Sequence, residues 1–112
     1  GGAVVGNTVV VPASGIVRVG WTAMLNHSTA GQRMIIAPQL NAGSVVGAGA
    51  TITAATDTRS ATTTGIGPWT TGGFTFYTGL TVGNSVNAFL MHRATAVTGS
   101  VENRVLEISQ VA

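Results

Sequence analysis

Cysteine is absent from this 112-residue chain, and so is lysine. Without cysteine there is no disulfide framework, no thiolate nucleophile and no cysteine-ligated metal. Charge of either sign is scarce: 7% of residues are charged, against about 25% in an ordinary soluble domain. That excludes a charge-solvated disordered chain, and it makes a fully exposed monomer hard to keep in solution. No apolar run approaches the roughly 18 residues that span a membrane, so no membrane insertion is expected. The pI near 10.6 comes from missing lysines and few acids. The five arginines (Arg18, Arg33, Arg59, Arg93 and Arg104) are spread singly, with a formal net charge of only +2. Nucleic-acid binding clusters several cations on one face, and no such cluster is present.

What the chain does have is threonine, glycine, alanine and valine in short alternating runs. Its length fits a single domain over residues 1–112, with 1–7 reading as a linker or tag remnant. Helical periodicity is nowhere sustained. In Ile16–Leu25 the odd positions Val17, Val19, Trp21, Ala23 and Leu25 are all apolar, while the even ones include Arg18, Gly20 and Thr22. Successive side chains of a strand point to opposite faces, so this is a strand with one core face and Trp21 in the core. Thr8–Val11 is a short β-branched strand, joined to it by the turn residues Pro12–Gly15.

Further strands are expected over Arg33–Leu40, Thr51–Thr58 (Ile52 and Ala54 inward), Phe74–Thr78, Ser85–Arg93 and Val101–Val111. Pro38 cannot donate to a ladder and should lie at an edge, a bulge or a strand end. Gly83-Asn84 is a turn signal, and Arg59–Trp69 reads as a long loop. Apolar residues occupy both faces of Ser85–Arg93, with Phe89 and Met91 opposite Val86, Ala88 and Leu90. Ile35 similarly opposes Met34 and Ile36. Burial of the second face against sister subunits is the simplest expectation. Short strands with frequent turns predict an all-β antiparallel sandwich.

The candidate chemical groups do not assemble into catalytic or metal patterns. His27 and His92 lack metal-ligand spacing. Asp57, Glu102 and Glu107 are the only carboxylates, and Glu102 and Glu107 are separated by an odd number, which puts them on opposite sides of a regular strand. Ser14 and Ser28 have no nucleophile elbow around them. No enzyme, cofactor or metal is expected. Gly43–Gly49 is not a phosphate loop, because no Lys-Ser/Thr follows. Asn26-His27-Ser28 matches a glycosylation acceptor without a secretory context, and Thr51, Thr53, Thr62 and Thr64 are too irregular for an ice-binding array. Arg93 and Arg104 flank the Thr95–Ser100 turn and would approach one another if it closed a hairpin. Trp69, Phe74, Phe76 and Tyr77 cluster in one segment, with core or subunit-axis packing the favoured reading over sugar stacking. Asn26–Gln32 and Arg59–Thr71 have no packing pattern to explain them. Since loops of a sandwich carry recognition, Arg59 and Trp69 are the expected partner or receptor contacts.

Two segments carry a resemblance. One is Thr8-Val9-Val10-Val11-Pro12-Ala13-Ser14-Gly15-Ile16-Val17-Arg18-Val19; the other runs from Leu80-Thr81-Val82-Gly83-Asn84-Ser85-Val86 through His92-Arg93 to Gly99–Ile108. Together they resemble the β-sandwich modules in tail and other surface proteins of tailed bacteriophages, themselves similar to the trimeric jelly-roll heads of the tumour-necrosis-factor and complement type. Asn41–Trp69 does not carry the resemblance. It implies a jelly-roll fold, a homotrimer, and a virion structural role beside other virion proteins. A tail- or fibre-associated module that meets a host receptor or glycan is the first expectation. A capsid-surface decoration protein and a free carbohydrate-binding lectin are the alternatives.

Overall fold

The computed structural model describes residues 5–27, 34–56, 60–63, 69–94 and 99–112. Eight strands make up its elements: β1 (Gly6–Val10), β2 (Val17–His27), β3 (Met34–Ala42), β4 (Thr51–Thr53), β5 (Ala61–Thr63), β6 (Trp69–Tyr77), β7 (Ser85–Ala94) and β8 (Gly99–Gln110). All pairings are antiparallel. The larger sheet runs β1-β7-β3-β4, with β5 also on β3; the smaller runs β6-β2-β8. The two pack on each other around one core, so the expected all-β class is found, as two antiparallel sheets.

The alternation in β2 does what the sequence predicts. Val17, Val19, Trp21, Ala23 and Leu25 are buried and form the floor of the core. The facing sheet contributes Met34, Ile36 and Leu40 from β3 and Val86, Ala88 and Leu90 from β7. Chain direction decides the rest. β1 pairs with β7 and β2 with β6 and β8, so the Pro12–Gly15 turn carries the chain from one sheet to the other. The Leu80–Asn84 turn also links the two sheets, with Gly83 at φ 86° and its N–H on Val11 O. β7 and β8 belong to different sheets, so the connection between Arg93 and Arg104 closes no hairpin. Residues 95–98 of that connection, like Asp57 and Ser28, lie outside the described residues.

Pro38 sits in the middle of β3, opposite Leu90 of β7. Leu90 gives its N–H to Val5 O on the β1 side, so the Pro38–Leu90 pair exchanges no ladder bonds. The proline nitrogen therefore faces the other side of β3. There β5 pairs with Met34–Ile36 and β4 with Leu40–Asn41, and among the described residues no strand pairs with the stretch between them. Pro38 thus occupies a local edge inside a long strand.

The second face of the larger sheet is covered in part by the chain itself, while Met91 on the same face stays 47% exposed. Ile35, Ala37, Asn41, Asn87 and Phe89 are buried within the single chain, so Ile35 and Phe89 need no second subunit to cover them, whereas its own chain leaves Met91 half-exposed. The segment 43–56 folds back over that face, held by amide side chains from the strands. Asn87, 0% exposed, accepts from Gly47 N at 3.0 Å through Oδ1. Its Nδ2 donates to Gly43 O at 3.1 Å and Ala48 O at 3.2 Å. Asn41 Nδ2 reaches Ala48 O and Gly49 O, and Gln39 binds Asn41 Oδ1, Thr51 Oγ1 and the Ala55 N–H. Burying these amides is tolerable because their hydrogen-bonding groups have partners. The strap also changes the expected strand at Thr51–Thr58. Among the described residues of that stretch only Thr51–Thr53 pairs, Ile52 and Ala54 point to solvent, and Asp57 and Thr58 lie outside the described residues.

β8 departs from regular alternation. Opposite β2 the register shifts between Thr22 and Met24, so that Asn103 and Arg104 stand against Ala23 alone. Asn103 adopts φ 51°, a left-handed conformation that asparagine tolerates. The bulge changes the phase of the strand. Glu107 pairs with Gly20 and Glu102 with Met24, two even positions of β2. Glu102 and Glu107 therefore take register positions on the same side of the sheet, contrary to the odd-number expectation.

Candidate recognition face

The outer face of β6-β2-β8 is built from the even positions of β2 and their partners. Arg18 is opposite Phe76 and Ser109, Gly20 opposite Phe74 and Glu107, and Thr22 opposite Gly72 and Val105. Because Phe74 and Phe76 are two residues apart on one strand, they share this face. Phe74 is 59% exposed, Phe76 50% and Val105 51%. The rings meet edge to face, with centroids 5.8 Å apart and planes at 83°. Tyr77, next in the chain, points the other way into the core. Of the core or subunit-axis reading, the core half holds for Tyr77, while Phe74 and Phe76 lie outside the core and the Trp69 side chain lies outside the described residues.

Arg18 organises the centre of the face. Its guanidinium carbon lies 4.8 Å from the Phe74 ring centroid, a cation–π contact. It reaches that position by lying across Gly20: a Cβ at residue 20 would be 3.3 Å from Arg18 Nη1. Glycine here makes a shallow slot for the arginine, at a cost in strand propensity. Beside it runs a groove of about 220 Å³, with Arg18 on one wall, Glu107 and Val105 on the other, and Gly20 and Thr22 between. It offers N–H donors, a carboxylate acceptor and apolar surface together.

A second groove, of about 230 Å³, lies on the larger sheet beside the strap, with Ile35, Ala37 and Met91 as its apolar lining and Gln39, Thr56 and His92 as its polar groups. His92 has its pKa lowered from 6.5 by partial burial and, next, by the positive charge of Arg104. Among the described residues no group of three or more histidines and carboxylates converges as a metal site would require. No helix of the structure is long and apolar enough to cross a membrane.

Of the contacts expected from sequence, Trp69 opens β6 with its backbone opposite Leu25, and Arg59 lies outside the described residues. His27 ends β2 opposite Gly99. Sequence reasoning missed Arg18 and Glu107 as parts of a face. The signal was available for Arg18, on the polar phase of β2. For Glu107 it was hidden by the bulge, which no alternation rule anticipates. Against known proteins, the chain matches no family model, no curated protein and no solved structure.

Proposed function

We propose that this chain is a non-enzymatic recognition and assembly module. In this reading it is a jelly-roll sandwich on a virion surface, tail- or fibre-associated, that contacts a host receptor or organises the tail tip. The observation that supports recognition is the outer face of β6-β2-β8, where two phenylalanines stand half open to solvent and Arg18 lies over one of them, Phe74. Exposed aromatics and arginine are the residue types that dominate binding hot spots, because they bury much area and offer directional contacts. The virion setting and the homotrimer rest on the resemblance of Thr8–Val19 and Leu80–Ile108, together with a surface too poor in charge to favour isolation. Arg59 and Trp69 stay in the proposal as partner contacts on the sequence reading alone, since Trp69 takes a register position opposite Leu25, on the side of β6 away from both phenylalanines.

Gold-labelled antibody on particles from the source culture tests the setting. Label on tails supports the reading, label on heads favours the decoration role, and unlabelled particles overturn the virion assignment. Arg18→Ala and Phe74→Ala test the face. Each should weaken binding to host cells or particles by about tenfold, the equivalent of 1.4 kcal/mol, while the fold is retained. Unchanged binding in both would remove the face from the proposal. Glycan-array binding by the isolated chain would favour the lectin alternative.

A further inference from the structure

The edges of the two sheets are protected unequally. An exposed edge strand presents unpaired N–H and C=O groups, and folded proteins blunt such edges by keeping them short, charged or bulged. In the larger sheet, β1 is five residues long, and β4 and β5 are three each. Val10 O at the end of β1 is also capped by Gln110 Nε2 at 3.0 Å. In the smaller sheet, β8 is long, but it contains Glu102, Arg104 and Glu107 and is bulged at Asn103. β6 is neither short, charged nor bulged, and besides its partner β2 the three-residue β5 packs near it among the described residues. Its nine residues, WTTGGFTFY, include no charge and no proline. It pairs with β2 over its whole length, from Trp69 opposite Leu25 to Tyr77 opposite Val17, in regular register. Among the described residues no strand pairs with its other edge.

We infer that β6 is completed by β6 of a second copy, paired antiparallel about a two-fold axis. An antiparallel edge is self-complementary, since the same donors and acceptors meet themselves under that symmetry. The sequence of β6 suits the pairing. Centred on Gly73, it sets Phe74 opposite Gly72 and Phe76 opposite Thr70 of the second copy. Phe74 already stands opposite a glycine, Gly20, on its other side. The two three-stranded sheets become one of six strands, with four phenylalanine rings clustered on its outer face. Aromatic cross-strand neighbours of this kind stabilise sheets. The pairing yields even chain counts: a dimer alone, or a hexamer if trimers pair. It does not depend on the attachment reading.

The test is the mass of the intact chain by light scattering at micromolar concentration, with circular dichroism to follow the fold. The wild-type chain should associate in an even number of copies. Thr70→Lys with Phe76→Lys places ammonium groups opposite each other and should weaken the association by at least about tenfold. Thr70→Glu with Phe76→Lys alters the same two positions but sets carboxylate against ammonium, and should restore it. Val105→Lys, on the β8 side of the same face, should leave it intact. A monomeric or trimeric wild type overturns the inference, as does an even assembly that the lysine pair leaves unchanged. Equal behaviour of the two double variants, or dissociation by Val105→Lys, overturns it as well.

Discussion

On the outer face of the larger sheet Phe89 is 6% exposed; on the outer face of the smaller sheet Phe74 is 59% exposed. Both are phenylalanines on strands, pointing away from the shared core. The difference lies in what the chain lays over them. Segment 43–56 folds across the larger sheet, pinned by Gln39, Asn41 and Asn87, and Val46 reaches Gly6 beside Phe89. Across β6-β2-β8, among the described residues, the centre is occupied only by Arg18 lying over Gly20. Two-sided apolar patterning therefore has two meanings in this one molecule. In β3 and β7 it marks a strand sandwiched between the core and its own strap. In β6 it marks an uncovered surface.

The sharpest way to break this comparison is to truncate the same residue type on each side. Phe89→Ala should destabilise the fold by about 3–5 kcal/mol, the range for a large buried aromatic. Phe74→Ala should change the stability of the isolated chain by no more than about 1 kcal/mol, through the lost cation–π contact and little else. Urea unfolding of both variants measures the contrast. Equal losses would mean that the smaller sheet's face is also part of the folded core. Trp21→Ala, between the sheets, should match Phe89→Ala, at about 3–5 kcal/mol.

The strap is tested next. Asn87→Ala leaves the Gly47 N–H and the converging carbonyls without their amide partner, and should cost about 1–3 kcal/mol. Proteolysis should then cut first within 43–56, because that segment's attachment to the strands runs through these amides. Cleavage elsewhere, with 43–56 still protected, would show that apolar contacts alone hold the strap. A smaller effect is expected at His92. Its folded pKa lies below its ordinary value of 6.5, so the unfolded chain takes up the proton more readily. Stability is therefore complete above pH 6.5 and declines as pH falls from there through the folded pKa. His92→Gln should flatten that part of the pH profile of the urea midpoint; an unaltered profile would exclude His92 as its source.

The strand over β2 was legible because its two faces differ in chemistry, and Val17, Val19, Trp21, Ala23 and Leu25 keep strict alternation. β6 was half legible. Phe74–Tyr77 announces itself by composition, while Trp69–Thr71, at the end of the unpatterned Arg59–Thr71 stretch, becomes strand because β2 offers it a continuous partner. The strap was not legible at all. Asn87 meets Gly47 across 40 positions of sequence, and neither residue signals the other. The bulge at Asn103 was equally hidden, and with it the side on which Glu107 lies.

By itself the sequence determined the class of fold, the inward face of β2, the turns at Pro12–Gly15 and Leu80–Asn84, and the poverty of charge that bears on association. These follow from local properties: side-chain parity, turn residues and composition. Only the tertiary structure decided which strands pair, that a strap of the chain buries Phe89 and Ile35 on the larger sheet's second face, and that Arg18, Phe74, Phe76 and Glu107 come to share a surface. Those outcomes depend on contacts between distant segments. Register and sheet assignment fix them, and no local pattern encodes either one.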